Sequence, residues 1–435
     1  MDTYIVIIAL SVLLIISYLF QVVAKKTSVP AVLLLMVLGI VSKLILPDDV
    51  TAGFDNYLGL LGKVGLILIV LEASIDLRLR RDKIKDIFKA FVSALVGLLI
   101  TVAAITVIIG FSTGTDWKQA GLYAIPFAVM SSAIVIPSVG GLFPKAKEFI
   151  IYESSLSDIL GIIMFNLFMD LNKSADTASV FGHTSLMLIG TIFLALVLSY
   201  ALIWIFVKIQ DDTKLFLMIS SLLLFYAIGG YYHLSALIMV MIFGLILGNP
   251  NVFFRGKIAH YFDTDETKAI AHNLHHISLE SAFVIKTFFF FLFGLSIKLE
   301  SLIDLQGILL GILFVGVTYG FRFVILYLLK VNSIPLLTMI TPRGLISVLL
   351  FFSIPAQFII ADFGDASMLI TIMATNIIMT FGLIQNKKDV RLEKEAAGSA
   401  YPITPEETII GSFEDPNTED EQSVEGEENK PKDPA

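Results

Sequence analysis

The chain has 435 residues, of which 56% are hydrophobic and 16% charged, with a mean hydropathy of +0.86. Soluble domains carry about 25% charged residues, so so apolar a chain needs lipid as its solvent and is excluded from the ordinary soluble classes. The net charge of −8 resides in residues 386–435, which hold fourteen acids and six bases; the remaining 24 acids and 24 bases balance, so no charged face is left to take nucleic acid.

Hydrophobic runs of about 17–25 residues, long enough to cross a ~30 Å core as helices, recur along the chain. They fall near 3–23, 29–46, 57–76, 88–111, 119–141, 148–170, 184–207, 214–230, 234–248, 282–297, 308–329, 334–353 and 366–385. The fold class is therefore an all-α polytopic membrane protein of about thirteen transmembrane helices. The first run has no basic segment ahead of it and reads as a retained helix rather than a cleaved signal peptide. The eighth and ninth are short and parted only by residues 229–233. The connection from about 249 to 281 reads as partly an interfacial helix. Residues 1–388 form the membrane domain. Residues 389–435 form an acidic cytoplasmic tail, which is expected to be disordered because it has few large apolar residues. No glycine loop for phosphate is present, no cofactor is expected, and the absence of cysteine excludes thiolate metal sites and cysteine nucleophiles.

Charge asymmetry gives the orientation. With the N-terminus outside, twenty Lys and Arg fall in cytoplasmic segments, including Arg78, Arg80, Arg81 and Lys83, against five on the opposite side. The expectation is a multi-pass protein of the cell (inner) membrane with N-out/C-in topology.

Charges inside the spans cost at least ~2.5–3.5 kcal/mol each on insertion scales and so default to function. They are Glu72, Glu153, Asp158, Lys286, Arg322 and Arg343. The run Glu153-Ser154-Ser155-Leu156-Ser157-Asp158 puts Glu153 and Ser157 on one helix face, and Ser154 and Asp158 on the next. Carboxylate and hydroxyl oxygens are hard ligands, suited to a partly dehydrated alkali cation. Two further segments, Ser131-Ser132-Ala133-Ile134-Val135-Ile136-Pro137 and Thr341-Pro342-Arg343-Gly344, break the fifth and twelfth spans with a proline. Interrupted helices at matching places in two halves point to a transporter's midplane site. They lie seven spans apart and so cross the membrane in opposite senses, as inverted repeats do.

These segments resemble the cation/proton antiporter superfamily, which includes sodium/proton exchangers and potassium-efflux antiporters. Glu153-Ser154-Ser155-Leu156-Ser157-Asp158 is similar to that family's Glu-Ser-x-x-Asn-Asp motif, with Ser157 in place of the usual Asn. Arg343-Gly344 resembles the exchangers' Arg-Gly pair. Residues 290–297, Phe-Phe-Leu-Phe-Gly-Leu-Ser-Ile, resemble their phenylalanine-rich helix. Ser131-Ser132-Ala133-Ile134 is closer to the efflux branch. The resemblance covers residues 1 to about 388. It implies that Asp158 binds the cation or the proton, that Arg343 pairs with Glu153, and that Arg322 stands where electrogenic relatives carry a lysine. It also implies a homodimer in which a core bundle carrying the broken helices moves past a dimerisation bundle.

The expected function is a secondary antiporter, not an enzyme. It would exchange Na⁺, or else K⁺, for H⁺ one-for-one, with Ser154, Ser157, Ser131 and Ser132 completing the cation shell of Asp158. The competing readings are a passive cation channel and a non-transporting membrane sensor or enzyme; neither the like-residue rings of the first nor a nucleophile–base pair for the second is found. Lys286 reads as a counter-ion for Glu280 or Glu72, or as a snorkelling side chain, while Glu72 with Asp76 reads as a partner of the Arg78–Arg81 cluster ahead of a vestibule lining. The phenylalanine run reads as lipid-facing packing. His272, His275 and His276, at i, i+3 and i+4, read as a solvated helix face, with a pH sensor or metal site as the sharper alternative.

Overall fold

The structure, a computed structural model, describes residues 3–45, 55–77, 79, 83–173, 177–209, 214–231, 234–254, 264–297, 304–360 and 363–396. Among these there are helices and turns and no strand. In chain order the α-helices are α1 Thr3–Thr27, α2 Ala31–Ile45, α3 Asp55–Asp76, α4 Ile84–Thr113, α5 Trp117–Ala128, α6 Ser132–Ser138, α7 Pro144–Lys173 and α8 Thr177–Lys208. There follow α9 Lys214–Tyr231, α10 Ala236–Gly248, α11 Pro250–Phe253, α12 Thr264–Ser296, α13 Leu305–Leu328, α14 Ile334–Met339, α15 Leu345–Phe352 and α16 Asp365–Ala396. Each predicted span is matched by one helix, or by a broken pair: α5 with α6, and α14 with α15. Among the described residues, eight helices (α5 with α6 counting as one) are long and apolar enough to cross a membrane.

Local chemistry sets several of the helix ends. Gly114, at φ 68°, adopts the left-handed conformation that closes α4, and its N–H bonds the Gly110 carbonyl at 3.0 Å. Asp116 opens α5 by accepting from the Lys118 N–H (3.2 Å). Asp304 opens α13 by accepting from the N–H groups of Gln306 (3.1 Å) and Gly307 (3.0 Å).

The helices pack in two groups. In one, α4 lies against α5, α7 and α13, and α15 lies against α5. In the other, α12 lies against α2 and α3, while α10 lies against α3 and α8. The approach of α10 to α3 depends on small residues. A Cβ at Gly248 would stand 2.3 Å from the Ile75 carbonyl oxygen, and one at Gly244 would stand 2.8 Å from the Ser74 Cβ. Beyond the end of α10, Asn249 fastens the pair. Its Oδ1 accepts from the Leu79 N–H at 2.5 Å, and its Nδ2 donates to the carbonyls of Leu77 (2.8 Å) and Leu245 (2.9 Å).

Within the connection 249–281, the short helix α11 and the first part of α12, which runs unbroken for 33 residues from Thr264, are helical, and residues 255–263 lie outside the described residues. Two expectations are corrected here. The phenylalanine run does not face lipid: Phe289, Phe290 and Phe293 are buried, since α12 turns them toward the interior against which α2 and α3 pack. Finally, Pro137 does not break the fifth span. It lies inside α6, as Pro126 lies inside α5, and the chain is extended at Val129 and Ser131 between them. The acidic tail beyond residue 396 and the Arg78, Arg80 and Arg81 cluster lie outside the described residues.

Candidate ion-binding site

The site is built where the two breaks meet. Between α5 and α6, Val129 (φ −71°, ψ 131°) and Ser131 (φ −89°, ψ 111°) are extended, and between α14 and α15 the chain leaves helical geometry from Ile340 to Gly344. A helix that stops in mid-span strands backbone groups where no water can take them. Here the two breaks satisfy each other and their neighbours. The Ser131 N–H donates to the Pro342 carbonyl (3.0 Å), and the Met130 N–H donates to Ser157 Oγ (3.0 Å). Ser347 Oγ donates to the Val129 carbonyl at 3.4 Å. The crossing is close: a Cβ on Gly344 would stand 2.3 Å from Ile134 Cδ1 and 2.9 Å from Ser131 Oγ.

Asp158 faces this crossing from α7. It is 4% exposed, and its Oδ2 accepts from the Ser132 N–H at 3.1 Å. Its Oδ1 takes no hydrogen bond among the described residues, nor do the buried hydroxyls of Ser131, Ser132 and Ser155. Buried oxygens are nearly always satisfied in folded proteins, so a group of unsatisfied ones is a reason to look for a ligand. Asp158 and Ser155 border a cavity of about 230 Å³ between the two helix groups. The rest of its wall is almost entirely apolar: Ile69 and Leu77 from α3 and the residue after it, Leu156 from α7, and Leu237, Met241 and Leu245 from α10.

A second, smaller cavity of about 30 Å³ lies on the other face of α7, bordered by Glu153, Ser157, Arg322, Thr318 and Arg343. Ser157 and Asp158, adjacent in sequence, therefore serve different cavities. Ser154 is buried, but its hydroxyl donates back to the Ile151 carbonyl (3.1 Å) within its own helix. The residue that shares Asp158's cavity is Ser155, three positions earlier on the helix. That i, i+3 spacing is visible in the sequence, as is the i, i+4 spacing that favours Ser154.

The expected pairing of Glu153 with Arg343 is not formed. Glu153 is held by Arg322 instead: Nη1 to Oε1 and Nη2 to Oε2, both at 2.8 Å. Ser93 Oγ donates to the same carboxylate at 2.6 Å, and Arg322 Nε donates to the Leu337 carbonyl at 2.9 Å. Arg343, equally buried, is occupied by the breaks themselves. Its Nε donates to the Phe127 carbonyl (2.7 Å) and its Nη1 to Thr341 Oγ1 (2.8 Å) and the Thr341 carbonyl (3.2 Å). The physical reason is supply and demand. Carbonyls at the end of a half-helix need donors and carry partial negative charge, and a guanidinium provides both remedies without a carboxylate. Two residues of α16 complete this packing: Thr375 Oγ1 accepts from the Arg343 N–H (3.0 Å), and Asn376 Nδ2 donates to the Arg343 carbonyl (2.8 Å). Ser93, Thr375 and Asn376 carried no signal in the sequence beyond being polar residues in apolar runs, whereas Thr341 belongs to the proline-containing segment that marks the break.

Away from the crossing, Lys286 on α12 pairs with Glu72 on α3, Nζ standing 3.1 Å from Oε2 and 3.3 Å from Oε1. Of the two counter-ions expected for Lys286, Glu72 is the one found; Glu280 is exposed. Glu72 thus pairs within the α3–α12 contact, and its expected pairing with the arginine cluster lies outside the described residues.

The family model for the transmembrane sodium/hydrogen exchanger matches residues 9–385. The chain belongs to the sodium/hydrogen exchanger family. It is accordingly a multi-pass cation/proton antiporter by family, and the broken helices and the buried aspartate lie within the matched region. The exchanger fold is also that of the sodium proton antiporter MjNhaP1 from Methanocaldococcus jannaschii. One structure of that protein, at pH 8, superposes with a TM-score of 0.66 at 20% identity, covering 88% of this chain and 96% of that one. An electron-microscopy structure of it superposes with a TM-score of 0.67 at 18% identity, covering 92% of this chain and all of the other. Among curated proteins none matches.

Proposed function

We propose that this exchanger moves one monovalent cation, Na⁺ foremost and K⁺ as the alternative, against one proton by alternating access at Asp158. The observation that carries the reading is the state of one carboxylate. Asp158 is buried at the helix crossing with Oδ2 fixed by the Ser132 N–H and Oδ1 unclaimed beside unclaimed serine hydroxyls. A carboxylate so placed can take a proton or a cation on Oδ1 but not both, and that exclusion is what couples the two fluxes. Glu153 does not compete for the cation, because both its oxygens are engaged by Arg322. With no second carboxylate at the site among the described residues, a single charge is exchanged for a single charge and transport is electroneutral.

Ser131, Ser132 and Ser155 supply neutral oxygens to the cation, while Ser157 holds the Met130 N–H and shapes the break. The cavity between the helix groups is the approach to Asp158. With the N-out/C-in orientation given by the lysine and arginine distribution, its far end near Leu77 and Leu79 lies on the cytoplasmic side of an inner membrane. The working unit is a homodimer. The test is flux in liposomes holding the purified protein, with Na⁺, K⁺ or Li⁺ set against opposed proton gradients. Cation-dependent proton movement that ignores an imposed membrane potential is expected. Proton movement without a cation requirement, or currents that follow the potential, would overturn the reading.

A further inference from the structure

Away from the intramembrane site, imidazoles gather near the start of α12. His272, His275 and His276 lie at i, i+3 and i+4, which sets the first and last one above the other on the helix surface. Both of these are exposed. Their Nε2 atoms stand 3.3 Å apart, and the rings meet edge to face with centroids 4.5 Å apart. His275 points to the buried side of the helix, its ring centroid 6.2 Å from that of His276.

The separation of 3.3 Å is informative. It is within reach of a hydrogen bond from one ring's N–H to the other ring's nitrogen. It also matches a chelate, in which the metal takes the place of that shared proton. Zinc–imidazole bonds of about 2.0–2.1 Å at a tetrahedral angle put the two nitrogens about 3.3–3.4 Å apart. We propose that His272 and His276 chelate a divalent transition-metal ion through their Nε2 atoms. Imidazole selects zinc, nickel or copper over magnesium and calcium, which prefer oxygen. The site shares no residue with the Asp158 crossing and differs from it in ligand chemistry: two neutral nitrogens on an exposed helix face against buried oxygens. His275, turned inward, is not a ligand. Closing a chelate across one turn also pins the helix near the place where it begins.

The experiment uses the full-length protein in detergent, with any histidine tag removed, titrated calorimetrically with Zn²⁺ alone and with Mg²⁺ alone. One Zn²⁺ per chain and no Mg²⁺ are expected. His272→Gln and His276→Gln should each weaken Zn²⁺ at least tenfold, and His275→Gln should leave it unchanged. Glutamine is a good helix former, so the exposed variants should keep their fold, and retained cation/proton exchange checks this. Backbone hydrogen exchange gives a second reading: Zn²⁺ should slow exchange over residues 264–276 in the parent protein and not in His276→Gln. No Zn²⁺ binding, binding that survives both single substitutions, or equal loss in His275→Gln would each overturn the assignment.

Discussion

Arg322 grips Glu153 with both arms of its guanidinium, each N–H···O contact being 2.8 Å, and Ser93 adds a third hydrogen bond to the same carboxylate. Both ends of this fork are removed from water, so truncating one strands the other, at a cost of about 3–5 kcal/mol. Glu153→Ala and Arg322→Ala should each lower the melting temperature in detergent, and the double variant should recover part of the loss. Arg343→Ala combined with Glu153→Ala should show clearly weaker coupling, because those two side chains share a cavity without a hydrogen bond between them. A thermal double-mutant cycle on both combinations decides the matter; coupling to Arg343 in place of Arg322 would contradict the arrangement described.

Asp158→Asn keeps the size of the side chain and an oxygen for the Ser132 N–H, but cannot carry the exchanged proton. Exchange in liposomes should fall to the level of empty vesicles while yield and melting temperature stay close to the parent values. Residual cation-coupled exchange would place the carrier elsewhere.

The serines should separate by cavity. Ser155→Ala and Ser132→Ala each remove a buried oxygen that has no other partner, and at about 0.5–1.5 kcal/mol per interaction the apparent KM for the cation should rise roughly 2- to 12-fold. Ser154→Ala removes a hydroxyl already spent on Ile151 and should leave KM nearly unchanged. Steady-state KM across the three variants tests the assignment, which fails if Ser154 proves the sensitive one.

Competition at one carboxylate fixes the sign of the pH dependence. As pH falls, protons occupy Asp158 and the apparent KM for the cation rises, by up to about tenfold per pH unit by mass action. As pH rises, the cation binds tightly but protonation becomes slow and the maximal rate drops, which gives a bell-shaped profile. Replacing His272, His275 and His276 together by Gln, in metal-free buffer, should leave the profile in place. A KM that is flat with pH would separate proton and cation sites.

Gly344→Ala tests the closeness of the crossing. The added methyl would sit 2.3 Å from Ile134 Cδ1 and 2.9 Å from Ser131 Oγ. Overpacking of this kind costs about 1–3 kcal/mol. Lower melting temperature together with weakened exchange is expected; an unaffected protein would mean that the half-helices can part without consequence.

Much of the fold was legible because lipid imposes a simple length rule, and each apolar run became a helix or a broken pair. The breaks themselves were found through their composition, though not their position: Pro137 drew attention to the fifth span, yet the chain opens at Val129–Ser131. Partner choice was the harder part. Glu153 had two intramembrane arginines available, and which one it meets depends on how α13 and the break between α14 and α15 are set against α7, a property of packing that single-helix periodicity does not encode. The same blindness put the phenylalanine run in lipid. Asp158 needed no such knowledge, since a carboxylate amid hydroxyls in an apolar run is anomalous wherever it faces.

Asn249 places all three of its amide contacts on backbone groups at the joined ends of α3 and α10. In mechanical terms the two helices form a single beam, pinned by the asparagine at one end and seated on Gly244 and Gly248 along its length. That beam is one wall of the cavity leading to Asp158, and the opposite wall is α7, whose main packing partners are α4 and α5. Any change in the width of the passage therefore needs α7 and the joined pair to move relative to one another. On the proposed alternating-access reading, a probe fixed to α10 therefore gives the reference against which the travel of Asp158 is measured.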